Sequence, residues 1–177
     1  MLILDRDLGS GQLEPAFSEV DQALCAFERR LSAGEVLPLA GTVDEAIALT
    51  TRLLTAYVAA EGTKAIPDGA MDILDAFKML VKGEPAWTAI RDNCRELVYY
   101  RNCIGMGRVD ALPRAPATMA VRTARHVYLY VRTRCIREGR LRVPNIVNHV
   151  CVASQNGWIT RRVAQLISRI WANRPTK

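Results

Sequence analysis

The chain is poor in the residues that build metal and thiol sites. It has two histidines, His126 and His149, and five cysteines, Cys25, Cys94, Cys103, Cys135 and Cys151. The cysteines are odd in number, widely scattered and form no C-x-x-C pair. Neither a zinc site nor a disulfide framework is therefore expected, and all five read as small buried thiols. A nucleophile built from Cys151 and His149 would need further partners that the sequence does not identify, because residues two apart on a helix point in different directions. Long apolar runs are also missing. No stretch approaches the roughly 18 residues of a membrane span, and Leu2-Ile3-Leu4 is cut off by Asp5, Arg6 and Asp7 before a signal-peptide core can form. These absences predict a soluble, cytoplasmic protein without a membrane partner. There is no internal repeat, no low-complexity tract and no Ser-His-Asp constellation. Gly9-Ser10-Gly11 lacks the Lys-Ser/Thr of a phosphate-binding loop, so neither a cofactor nor catalysis is indicated.

What is present is an ordinary globular composition with an unusual charge layout. Half of the 177 residues are apolar and 24% are charged, enough for a buried core and one domain or two small ones. The net charge of +6 conceals a split: residues 1–88 carry −7 and residues 89–177 carry +13. All but one of the cations in the second half are arginine, whose planar fork pairs with phosphate through two bonds and stacks on bases.

Helical periodicity runs through the chain. The first helix is expected from Pro15, a favoured first position, to Ser32, with Phe17, Val20, Leu24, Phe27 and Leu31 on one face and Gly34 as the stop. The second is expected from Thr42 to Gly62, opened by a capping box of Thr42 and Glu45. The third is expected from Asp68 to Gly83, and the fourth from Pro85 to the Gly105-Met106-Gly107 break. A fifth runs from Pro116 to Glu138. Pro144 to about Ser154 and Trp158 to Trp171 give a sixth and a seventh around Asn156-Gly157, and Leu2 to Leu4 is an edge strand or a tail. The expected fold is all-α, a compact bundle of about six to seven helices. Pro113 and Pro116 mark a linker, so the chain reads as an acidic-to-mixed part, 1–106, and a basic part, 107–177, or as one continuous domain.

The fifth helix carries the strongest signal. At 100° per residue, Val121, Ala124, Val127, Tyr128, Val131 and Cys135 fall on one arc of about 120°, with Arg122, Arg125 and Arg132 outside it. From Arg114 to Arg142 there are eight arginines and one acid, Glu138. An arginine face without acidic neighbours in sequence suits an anion. Arg122, Arg125, Arg132, Arg134, Arg137, Arg140, Arg142, Arg161 and Arg162 are the expected nucleic-acid contacts, with RNA or single-stranded DNA as ligand. On the fourth helix Asp92 and Glu96, four apart, suit intrahelical salt bridges to neighbouring arginines better than a metal or acid/base pair.

Three resemblances bear on function. Arg101-Asn102-Cys103-Ile104-Gly105-Met106 is similar to the R-N-x-x-x-H motif of HEPN ribonucleases, with Met106 where that family has its histidine; the likeness implies a helical RNA-binding fold without catalysis, or a divergent RNase. The hairpin of the sixth and seventh helices resembles a helix-turn-helix, which implies a transcription regulator reading DNA through Arg161, Arg162 and Gln165. In size, helicity and charge polarity the whole chain resembles the small helical subunits of multi-subunit CRISPR effector complexes. That resemblance implies a non-catalytic antiviral-defence ribonucleoprotein component, stacked in several copies with other subunits and holding guide RNA or target strand.

Overall fold

The computed structural model describes residues 10–61 and 71–141. Every regular element among them is helical: α1 (Ser10–Ser32), α2 (Leu39–Glu61), α3 (Ile73–Gly83), α4 (Arg91–Gly105) and α5 (Pro116–Arg137). Two short 3-10 turns join them, Pro85–Ile90 ahead of α4 and Val109–Ala111 between α4 and α5. The expected sixth and seventh helices and the N-terminal Leu2 to Leu4 lie outside the described residues.

The centre of the bundle is α2, not the arginine helix. It packs against α1, α3, α4 and α5, most extensively against α5. Val43, Ile47, Leu49, Leu53, Leu54, Tyr57 and Val58 point in several directions from its axis and are all buried. They cover about 180° of the helix at 100° per residue, while Asp44, Glu45, Ala48 and Arg52 on its other side are exposed. The remaining helices lay their apolar stripes against that buried half. On α5 that stripe is the arc expected from sequence, with Val121, Ala124, Val127, Tyr128, Val131 and Cys135 all buried.

Helix starts differ from expectation where packing or capping overrides local signals. The first helix begins at Ser10, five residues ahead of Pro15, which sits inside it. Proline there removes one intrahelical bond, but Leu13, fully buried four residues before Phe17, extends the apolar stripe by a turn and supports the extra residues. The capping box of Thr42 and Glu45 does not form. The second helix starts at Leu39, Thr42 is buried within it, and its hydroxyl donates to the Pro38 carbonyl at 2.7 Å. The third helix starts at Ile73 rather than Asp68, a residue outside the described ones, and Asp72 is its N-cap, accepting from the amides of Leu74 at 2.7 Å and Asp75 at 2.9 Å. The fourth opens as a 3-10 turn from Pro85.

Helix ends follow the glycines. After α5, Gly139 takes φ +72°, its amide donates to Ile136 O at 3.1 Å and that of Arg140 to Cys135 O at 2.8 Å. This pair of bonds is a Schellman motif, which needs a left-handed residue that glycine supplies without strain.

Candidate functional site

Helices α4 and α5 form an antiparallel hairpin, and the contacts between them rise along one chain as they fall along the other. Glu84, just ahead of the 3-10 turn, pairs with Arg134. Tyr130 Oη donates to Ala86 O at 2.7 Å, and its ring lies 5.8 Å from that of Trp87. Further along, Thr123 Oγ1 donates to Glu96 at 3.0 Å. Both helices bury their inner sides in the common core, so their outer sides open to solvent together. On α4 the outer arc holds Arg91, Arg95, Tyr99, Asn102 and Met106, within about 80° at 100° per residue. On α5 it holds Arg122, His126 and Arg137, within about 60°. All eight are exposed.

The arginines expected to contact nucleic acid divide into two chemical sets. Arg122 and Arg137 are exposed and have no carboxylate partner among the described residues. Arg125 is different: its side chain is 12% exposed and meets Asp21 at 2.5 Å and Glu28 at 2.8 Å, both from α1. Burial pulls its pKa down, but the hydrogen bond and charge of Glu28, then those of Asp21, outweigh burial and hold the guanidinium above its ordinary value. Arg125 is thus an internal tie between the acidic and basic parts of the chain rather than a free phosphate contact. The expectation overlooked these acids because they lie 104 and 97 residues away in sequence.

Arg134 and Arg140 are also committed. Arg134 pairs with Glu84 and with Glu138 at 2.8 Å, and its guanidinium lies 4.6 Å from the centre of the Trp87 ring. The hydrogen bond from Arg134 draws the Glu84 carboxyl below its ordinary range. Arg140 pairs with Glu138 at 3.0 Å and covers the ring of Tyr57 at 4.9 Å. The Tyr57 hydroxyl donates to Glu138 at 2.7 Å; burial first, and that bond second, raise its pKa. Arg132 is half-buried, donates to Tyr128 Oη at 2.8 Å and has no carboxylate partner. Arg142, Arg161, Arg162 and Gln165, and the pair Cys151 and His149, lie outside the described residues.

Asp92 and Glu96 do not behave alike. Asp92 bonds to Arg91 at 3.3 Å as a well-exposed pair, a contact of small energetic weight. Glu96 turns instead to hydroxyls, accepting from Tyr100 Oη at 2.5 Å and from Thr123. That choice frees Arg95. No group of three or more His, Cys, Asp or Glu among the described residues is placed to hold a metal ion. Arg101, Asn102 and Met106, which carry the ribonuclease-like motif, are all exposed at the C-terminal end of α4.

Charge accounting therefore gives a site different from the expected one. Between residues 89 and 141 every acid is engaged: Asp92 by Arg91, Asp110 by Arg108, Glu138 by Arg134 and Arg140, and Glu96 by two hydroxyls. Arg95, Arg101, Arg114, Arg122 and Arg137 remain exposed and without a carboxylate among the described residues. Three of them, Arg95, Arg122 and Arg137, are on the outer side of the hairpin. Sequence reasoning missed Arg95 by pairing it with the adjacent acids, although its position on the helical wheel, opposite Leu97, was there to be read.

The class these features define is an all-helical bundle with an arginine-bearing outer hairpin. Comparison with protein-family models, curated proteins and solved structures finds no match. No described helix is long and apolar enough to cross a membrane.

Proposed function

We propose that the chain is a non-catalytic nucleic-acid-binding subunit of a ribonucleoprotein assembly, in character like a small helical subunit of a CRISPR effector complex. It binds the phosphate backbone through the outer hairpin. The observation that supports this reading is the set of five exposed arginines left without carboxylates in a segment where every acid is already engaged. Guanidinium groups without an internal salt bridge are free to pair with phosphate, and those on one side can follow a strand. Arg122 and Arg137 are fifteen residues apart, about 22 Å along the helix at 1.5 Å per residue. The exposed acids Asp44 and Glu45 on α2 have no cation partner among the described residues and suit contact with the basic face of another copy or subunit.

The test is a salt titration of binding. Replacing Arg95, Arg122 and Arg137 together with alanine should weaken binding about equally across sequences. It should also flatten the slope of log affinity against log salt by about 2, from roughly 0.7 per phosphate contact on a single strand. A slope unchanged from wild type, or no nucleic acid bound at any salt, refutes the assignment. For assembly, Asp44→Lys with Glu45→Lys should lower the number of copies seen by native mass measurement. Asp72 is unsuitable for such a reversal because it caps α3.

A further inference from the structure

Among the exposed residues on the outer arcs of the hairpin one is a tyrosine. Tyr99 is 48% exposed, on the same arc of α4 as Arg95, four residues before it, and Asn102, three after it. A half-exposed tyrosine is ordinarily free to rotate, but this one is held. Its hydroxyl donates to Ala111 O at 3.3 Å, in the 3-10 turn Val109–Ala111, and its ring lies 6.2 Å from that of Tyr100 at 59°. Tyr100 is itself buried and bonded to Glu96. Beyond Tyr99 two large apolar side chains are exposed, Met106 at 68% and Val109 at 50%. Arg108 and Asp110, exposed next to Val109 in sequence, pair with each other at 3.2 Å.

A fixed ring, exposed apolar side chains at Met106 and Val109 and a guanidinium four residues away, Arg95, have no use for the outside of a paired duplex, whose bases are stacked on one another. They match an unpaired base. Every base has a π-face, so stacking is tolerant of sequence, while the arginines hold the phosphates on either side. Resting on the nucleic-acid-binding reading above, we propose that Tyr99 is a base-stacking platform and that the ligand of the hairpin is a single strand. The strand runs across α4 with a base on Tyr99, Asn102 offers a hydrogen bond to its edge, and the backbone passes Arg95 toward Arg122.

The experiment compares labelled oligouridylate, oligodeoxyuridylate and a duplex of equal length by fluorescence anisotropy, with the full chain at fixed salt. For Tyr99→Ala, both single strands should lose affinity by about five- to a hundredfold, from the usual worth of one stacked base. The duplex should change less than twofold, and the salt slope should stay at its wild-type value because no phosphate contact is removed. Tyr99→Phe keeps the ring and should bind within about threefold of wild type; circular dichroism of both variants confirms the helices. If RNA and DNA strands respond alike, the base carries the contact; a loss confined to one of them assigns it to the sugar and overturns the stacking claim. An equal loss on duplex, or no loss for Tyr99→Ala, overturns it as well while the arginine-dependent binding of Arg95, Arg122 and Arg137 stands. Absence of any binding removes both.

Discussion

Two arginines three residues apart on one helix show how differently the same side chain can be employed. Arg122 is open to water; Arg125 is seated between Asp21 and Glu28. Removing Arg125 leaves two carboxylates, each about one-third exposed, without their cation. Arg125→Ala should therefore cost about 2 kcal/mol in urea unfolding, less than the roughly 3–5 of a fully buried pair because water still reaches the acids. Arg122→Ala should leave stability within about 0.5 kcal/mol, the usual range for a surface change, and act only on ligand binding. The reverse pattern would exchange the roles assigned here. Nothing in the local sequence separates the two residues, since both lie outside the apolar arc. What distinguishes them is which helix comes to rest beside each, a tertiary fact. Arg95 was legible in principle, because its position on α4 alone places it opposite Leu97.

At the scale of single helices the sequence was most informative where apolar spacing and glycine agreed. The arc of α5 and its end at Gly139 were readable for that reason, as was the stop of α1 at Gly34. It misled where a local motif competed with burial. Thr42 and Glu45 have the spacing of a capping box, but Thr42 is carried into the interior by Val43, Ala46 and Ile47 around it, and the helix starts three residues earlier. The real cap lies on α3. Asp72→Ala should lower stability by about 1 kcal/mol through loss of the bonds to Leu74 and Asp75, whereas Glu45→Ala should change it by less than about 0.5. Equal effects in thermal or urea unfolding would mean that Asp72 acts as a surface charge and not as a cap.

For the molecule as a whole, two buried thiols and one half-exposed carboxylate set the pH limits. Burial pushes the Cys94 thiol from 9.0 to about 12, and burial, with Glu138 beside it, does the same to Cys135. A raised thiol pKa means that the thiol contribution to stability is constant below pH 9 and falls as pH rises from 9 to 12, as the unfolded chain ionises first. Glu84 works in the opposite sense. Its lowered pKa contributes stability in full above its ordinary 4.5, and that contribution fades as pH drops through the lower folded value. Urea midpoints measured across pH should decline on both sides of this plateau, and Glu84→Gln should remove part of the acid-side fall. With N-ethylmaleimide at pH 8, Cys94, Cys103 and Cys135 should stay unmodified until the protein unfolds, read by mass spectrometry.

The ties that close the bundle also fix when it can close. Asp21 meets its arginine 104 residues later, Tyr57 meets Glu138 after 81, and α2 has its largest partner in α5. Helical proteins built from near-neighbour contacts fold in microseconds to milliseconds; these long separations should place refolding at the slow end of that range or beyond it, as stopped-flow tryptophan fluorescence would record. During synthesis the consequence is larger. Until Pro116–Arg137 has left the ribosome, α2 can pack on α1, α3 and α4 but lacks its largest partner, so the nascent chain keeps open the side of the core that α5 later covers.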